Sequence, residues 1–327
     1  MKQKTFASME YEGKKKQTKR ELFLIEMERV IPWDALQNVI EPHYPKAGKG
    51  RPPYEMKIML RIYFMQQWYG LSDPGMEEAL YEIASMRRFA GLEMWHEALP
   101  DESAILRFRH LLERHGLTEQ LLNVVNAHLV ENKLLLRTGT IVDATLIAAP
   151  PSTKNSEGKR DPEMSSTKKG NNWYFGMKIH SGVDASSGLV HTVAVTTASV
   201  HDKTAMPKLL HGDERIVLGD KGYVSDTDKR DARQRGVIWG VLDKAKPKHA
   251  LSTKQTRRNR KLSSVRAKVE HPFRVIKRQF GYMKVRYKGL LKNTVQVFTL
   301  FALANLYMAR KQLLRLQEQS VLKMQMQ

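Results

Sequence analysis

Three acidic residues stand where side chains can do chemistry: Asp143 in GTIVDATLI, Asp220 in RIVLGDKGY and Glu270 in RAKVEHPFRVIKRQFGY. The first two follow short runs rich in β-branched residues, Thr140 to Val142 and Ile216 to Gly219. These runs read as buried strands, so both carboxylates should emerge near strand ends. A side chain there is held rigidly while its tip stays open to a cleft. Glu270 lies in a basic stretch of helical period, and on a continuous helix Arg266, Arg274 and Lys277 would share its face. Val269, Phe273, Ile276 and Phe280 repeat on the neighbouring stripe and should pack this element onto a sheet. Pro272 disturbs the pattern, because it donates no N–H and disfavours a helical His271. The helix therefore either kinks there or begins near Glu270, with Arg266 in the preceding segment.

Each residue also has a plain structural reading. An Asp at a strand end is a common turn former, and Glu270 among cations makes an ion-pair ladder. The conjunction on a strongly basic chain points elsewhere. With 55 Lys and Arg against 34 Asp and Glu, the net charge is +21, and the expected partner is a polyanion. Carboxylates repel a polyanion unless a cation stands between them. Divalent metals held by acidic side chains supply that bridge and clamp the attacking and leaving oxygens of a phosphoryl displacement. They also make a nucleophile of water near neutral pH, so no Ser, Cys or His nucleophile is needed.

The chain has 327 residues, long enough for two domains, and 41% of them are hydrophobic, which argues against wholesale disorder. No apolar stretch reaches the roughly 18–20 residues of a membrane span. The best, Val295 to Met308, is interrupted by Thr299 and Asn305. The N-terminus shows no apolar segment of a signal peptide. The absence of cysteine excludes disulfides, thiolate zinc sites and thiol nucleophiles. A cytoplasmic location, with nucleic acid rather than membrane as partner, is the expectation.

The elements that must position the carboxylates follow in order. Residues 1–20 are polar and basic and read as a flexible arm. Residues 21–133 are helical in period, forming a DNA-binding or dimerisation region. Asp73-Pro74 reads as a cap followed by N1, and Gly70, Gly91 and Gly116 should stop helices. Helices over 73–88 and 101–115 suggest a helix-turn-helix-like reader with Arg107, Arg109 and Arg114 towards a groove. From residue 134 to 315 the period alternates. Strands are expected over 139–147, 173–183, 189–197, 215–219 and 237–242, with helices over 201–211 and 225–235, a mixed α/β order around one sheet. The Ser/Lys/Gly-rich insert over 150–172 lacks apolar period and should be a mobile loop, with Lys168 and Lys169 among its phosphate contacts. Lys221 sits beside Asp220 between two glycines. The run from Lys244 to Lys261, carrying Arg257, Arg258, Arg260 and Lys261, reads as a DNA-backbone track. Trp173 and Trp239 are candidates to stack on an unpaired base. Residues 316–327 are a C-terminal tail.

IVDAT, GDKGY and VRAKVEHPFRVIKRQFGYMKVRYKGLLKN resemble the DDE transposases of bacterial insertion sequences whose third block carries the pattern Y-x2-R-x3-E-x6-K. The insertion-sequence-five (IS-five) family is the closest match. The similarity extends into the helical half, through YPKAGKGRPPYEMKIMLRIYFMQQWYGLSDPGMEEALYEIASMRRFA and LPDESAILRFRHLLE. It implies an RNase H-like catalytic domain, a mixed central sheet flanked by helices, preceded by an all-helical N-terminal region. It further implies Asp143, Asp220 and Glu270 as ligands of Mg²⁺, with Mn²⁺ able to substitute, and Arg266 and Lys277 as the basic positions of the pattern. The tyrosine position falls on Ser263. The implied partner is double-stranded DNA, as transposon terminal repeats and target, met by a homodimer or higher oligomer that holds two ends. A nuclease that hydrolyses without joining, and a catalytically idle DNA-binding regulator, share many of these features.

Overall fold

The computed structural model describes residues 16–48, 51–92, 98–156, 158–245, 247 and 249–325. Most of the expected basic arm, residues 1–15, lies outside the described residues. The N-terminal half is helical: α1 (Lys19–Val30), α2 (Trp33–Ile40), α3 (Met56–Tyr69), α4 (Asp73–Glu82), α5 (Ala84–Ala90), α6 (Glu102–Arg114) and α7 (Leu117–Glu131). Local chemistry sets the boundaries. Thr18 and Glu21 close a reciprocal capping box at the start of α1. Gly70 and Gly91 end α3 and α5 in the left-handed conformation that a side chain resists.

Two N-terminal expectations need correction. Ser72, not Asp73, caps α4, its hydroxyl accepting from Gly75 N–H, while Asp73 and Pro74 are the first two helical residues. The single helix expected over 73–88 is broken at Ile83, which is extended, and Arg87 Nη1 donates to the carbonyl of Leu80 at the end of α4.

The sheet comprises β1 (Gly139–Ala148), β2 (Ser165–Lys169), β3 (Asn172–Asp184), β4 (Val190–Thr197), β5 (Ile216–Gly219) and β6 (Ile238–Val241). Its order is β2-β3-β1-β5-β6, with β4 also paired to β3. The β1–β3 and β3–β4 pairs are antiparallel, whereas β1–β5 and β5–β6 are parallel. The parallel crossovers carry short helices, α8 (Asp202–Ala205) and α9 (Asp226–Gln234). The helix expected over 201–211 ends early as α8 and continues as a 3-10 turn containing Pro207, which cannot donate an interior helical hydrogen bond. After β6 come α10 (Thr253–Arg266), a 3-10 turn, α11 (Glu270–Arg274), a π-helical turn over Val275–Gln279, and the long α12 (Leu290–Gln325). This is the mixed sheet flanked by helices expected of an RNase H-like domain, with a helical region before it.

The insert over 150–172 is not wholly loop. β2 pairs with the first residues of β3 as a hairpin, Ser165 opposite Gly176 and Lys169 opposite Asn172. Met164 is buried, and the carboxylates of Asp161 and Glu163 accept from Gly289 and Leu290 N–H at the start of α12. A Cβ on Gly176 would come within 2.1 Å of Ile147 O, so only glycine lets the hairpin meet β1 there.

One apolar cluster runs from the N-terminal helices through α12 to the sheet face that carries Ile141, Ile147, Met177 and Ile179. A smaller one, with Val142, Leu209, Tyr223 and Val241, covers the opposite face, and Trp239 packs against it. α12 is the hub, and its helix continues through the residues expected as a C-terminal tail. It packs on α1, α7 and β4. At its centre the buried Asn305 accepts from Val190 N–H and donates to both Val190 O and Asn126 Oδ1. These bonds leave buried partners unsatisfied if the amide is removed, so Asn305→Ala should lower stability by about 3 kcal/mol. Denaturant unfolding of the two proteins measures this, and an unchanged midpoint would show that water replaces the amide.

Candidate active site

Register brings the first two carboxylates together. Gly139, Thr140 and Ile141 of β1 pair in parallel with Ile216, Val217 and Leu218 of β5. Asp143 and Asp220 each follow by two residues the last pair of that ladder, Ile141 and Leu218. Residues two apart in a strand share a face, so Asp143 lies on the side where Ile141 enters the main core, and Asp220 follows the end of the neighbouring strand. Glu270 is brought to that face by its own segment, since Val269, Phe273, Ile276 and Phe280 are all buried in the same core. The electrostatics agree: burial raises the Asp143 carboxyl pKa, Arg266 and the Ala144 N–H lower it, and Asp220 and Glu270 raise it further.

The surroundings differ in detail from the sequence reading. Asp143 is not at a strand end, because β1 continues to Ala148; it sits mid-strand opposite Ser181. The strand has nearly the extent expected, 139–147, and residues 144–148 pair throughout with the long β3. Asp220 does stand just past its strand and caps a 3-10 turn, Oδ1 accepting from Gly222 N–H at 2.8 Å. A Cβ on Gly222 would lie 3.0 Å from that oxygen, so the glycine gives the carboxylate room. Pro272 is accommodated within α11, after the 3-10 turn of Ala267–Val269. Arg266 thus belongs to α10 and not to the helix of Glu270.

Arg266 Nη2 donates to Asp143 Oδ2 at 2.8 Å. Lys277 Nζ donates to Thr145 Oγ1 at 2.6 Å and Leu146 O at 2.9 Å, a step further along the same face of β1. Burial lowers the pKa of Lys277, Lys169 lowers it further, and Glu270 raises it. A cleft of about 300 Å³ opens there between Thr145, Lys169, Tyr174, Phe175, Lys277 and Met283. Neither this cleft nor the larger ones beside Tyr44 and Tyr54 and between α1 and α12 is lined by any of the three carboxylates.

Of the other cations singled out in sequence, Lys168, Lys169, Lys221 and Arg274 are exposed, as are Arg257, Arg260 and Lys261 on α10, which buries no residue at all. Arg258 is engaged internally, donating to Trp239 O, Val241 O and Asp243, and with Asn259 it ties α10 to the sheet edge. Arg109 does not face a groove: it is buried, paired with Asp73 and Glu113, and stacked over Tyr287. Its position three residues before Leu112 and one after Phe108 placed it on the apolar stripe. Asp202 pairs with Lys178 at 2.9 Å, and His201 caps α8. Tyr223 was missed: its hydroxyl is buried without a partner, and burial raises its pKa, with Asp202, Asp143 and Asp220 adding to the rise. The only sequence signal was its place in GDKGY.

Residues 135–306, more than half of the chain, match the family described as Transposase DDE domain. The chain belongs to that family. A further family, described as Transposase domain (DUF772), matches residues 11–111. Among solved structures, the transposase resembles the cryo-EM structure of the piggyBac transposase synaptic complex with hairpin DNA. That likeness has 10% identity and a TM-score of 0.47 and covers 91% of this chain and 76% of that one. The crystal structure of the Mos1 strand transfer complex aligns at 13% identity and a TM-score of 0.20, over 70% of this chain and 79% of that one. The transposase is an enzyme of DNA transposition by DDE chemistry, a chemistry that uses divalent metal ions. No helix among the described residues is long and apolar enough to cross a membrane.

The carboxylates fit such an ion by donor chemistry and by charge. Three acidic side chains stand near one another: burial first, then Asp220 and Glu270, raise the pKa of Asp143, and a cation beside it acts in the opposite sense. A cation already stands there, the Arg266 guanidinium. Among the described residues no three His, Asp or Glu side chains are grouped tightly enough to hold one ion as they stand.

Proposed function

We propose that this transposase is of the insertion-sequence-five type and that Asp143, Asp220 and Glu270 hold its divalent ions, Mg²⁺ by preference with Mn²⁺ able to substitute. The observation that carries the assignment is the placement of Asp143 on β1 and of Asp220 just past β5, its parallel neighbour, with Asp220 and Glu270 both near enough to Asp143 to raise its pKa. Bound ions would supply positive charge to the attacking and leaving oxygens of the phosphoryl displacement. The chain's own residues do the rest. Lys277, fixed on β1 by two hydrogen bonds, offers a point charge to a phosphate in the neighbouring cleft. Arg266 offers a planar fork. Exposed Arg257, Arg260 and Lys261 on α10 lead the duplex backbone towards Arg266, and Lys168 and Lys169 approach from the hairpin, Lys221 from the 3-10 turn after Asp220 and Arg274 from α11.

The substrate is double-stranded DNA bearing the element's terminal repeats, joined to target DNA in the cytoplasm. Holding two ends at once requires at least a dimer. Labelled duplex carrying an end sequence, incubated with Mg²⁺ and target DNA, should yield joined products. Cut products alone would make the protein a nuclease, and a shifted band without chemistry an idle binder.

Trp173 adds a finer expectation. It is 71% exposed on the hairpin beside Lys168 and Lys169, an arrangement that wastes an indole unless a flat partner covers it. Stacking on an unpaired base is worth about 1–3 kcal/mol. Trp173→Ala should therefore weaken binding of DNA with unpaired terminal bases by roughly tenfold or more, and fully paired duplex much less. Equal losses on both probes would reduce Trp173 to a general contact.

A further inference from the structure

Both oxygens of Asp143 are occupied by the protein itself. Oδ1 accepts from Ala144 N–H at 2.8 Å, and Oδ2 accepts from Arg266 Nη2 at 2.8 Å. The ion pair is sheltered, its side chains 17% and 16% exposed, so solvent does little to loosen it. Arg266 is nonetheless incompletely satisfied: its Nε is buried and has no hydrogen-bond partner. Asp220, by contrast, has one oxygen on Gly222 N–H, and Glu270 is exposed. Of the three carboxylates, then, Asp143 alone is held by a cation among the described residues.

An ion ligated by Asp143 would need an oxygen at about 2.0–2.6 Å. Oδ2 is the only one not committed to the backbone of its own strand. A divalent ion and a guanidinium on that oxygen would be within a few ångströms of each other, and their repulsion in a shielded site is severe. We propose that Arg266 and the catalytic metal compete for Asp143 Oδ2, so that Arg266 keeps the site closed to metal until a DNA phosphate draws the guanidinium away. The inference rests on the assignment of Asp143 as a metal ligand. The phosphate is a fitting competitor because it takes the planar fork in two parallel bonds, the unpartnered Nε among them. It also arrives from the right direction, since Arg266 is the last residue of α10, the exposed basic helix. Arg266 is in this view a positioning residue, coupling metal loading to the seating of DNA.

The test is Mn²⁺ affinity in the absence of DNA, read from the electron paramagnetic resonance signal of free Mn²⁺. It compares the full-length wild type, Arg266→Gln, Asp143→Asn and the double variant. Arg266→Gln should bind Mn²⁺ tighter than wild type by on the order of tenfold or more, and the gain should vanish in the double variant. Arg266→Lys keeps the charge but not the fork and should fall between wild type and Gln, which preserves the test if the Gln protein does not fold. Equal affinities in wild type and the Arg266 variants, with Asp143-dependent binding in all, would overturn the competition alone. A gain that survives Asp143→Asn would also overturn it. Mn²⁺ binding that never depends on Asp143 would remove the metal assignment and the competition together.

Discussion

Asp143→Asn, Asp220→Asn and Glu270→Gln should each reduce strand cleavage by on the order of a thousandfold or more, because a charged ligand to the ion is lost while the side-chain shape is kept. Binding of duplex should survive, since the phosphate contacts proposed for α10 and the hairpin are untouched. Stability separates this result from unfolding. Burial and two neighbouring carboxylates raise the pKa of Asp143 above that of an exposed Asp, so at pH above both values its charged form destabilises the fold. That penalty is relieved as pH falls through the raised pKa, and an uncharged amide relieves it at any pH. Asp143→Asn should consequently melt close to wild type, relief of that penalty offsetting the loss of the counter-charge to Arg266. Loss of cleavage together with a markedly lower melting temperature would show instead that Asp143 serves mainly as the anchor of Arg266. Near-normal cleavage by any one of the three variants would remove that residue from the site.

What sequence could reveal of this site depended on how local each cause was. The packing stripe of Val269, Phe273, Ile276 and Phe280 is written in helical spacing, and all four are buried. The glycine stops at 70 and 91 follow from backbone sterics within a few residues. The extent of β1 was legible to within one residue, Gly139–Ala148 against 139–147, but the register that sets Asp143 opposite Ser181 depends on β3, a partner that begins some thirty residues later. The insert read as loop for the same reason: β2 is polar on both faces, and its order comes from pairing with β3 and from Asp161 and Glu163 reaching the start of α12. Arg109 and Arg258 carry the charge of DNA-binding residues, yet their partners, Asp73, Tyr287 and the carbonyls of β6, are remote in sequence. The contact between Arg266 and Asp143 spans 123 positions and joins two motifs that sequence treats as separate.

Salt should weaken binding to duplex of arbitrary sequence steeply. Each phosphate neutralised by Lys or Arg contributes about −0.9 to the slope of log affinity against log salt, so a track of 6–10 contacts loses roughly 10³–10⁵ in affinity between 50 and 200 mM. α10 makes this testable residue by residue, because none of its side chains is buried and its attachment to the sheet runs through Arg258, Asn259 and Arg266. Replacing Arg257, Arg260 and Lys261 together by Ala leaves those anchors in place and substitutes the best helix former at exposed positions, so the helix should persist. If all three meet phosphates, the slope should become shallower by about 2.7. The melting temperature should stay near that of wild type. A replacement at Arg258, by contrast, should lower the melting temperature, because it leaves the carbonyls of Trp239 and Val241 without that donor. An unchanged slope in the triple variant would show that the duplex does not follow α10 and would shift the phosphate track to the hairpin lysines and the N-terminal helices. A flat response in the wild type would contradict the reading of the whole charge excess.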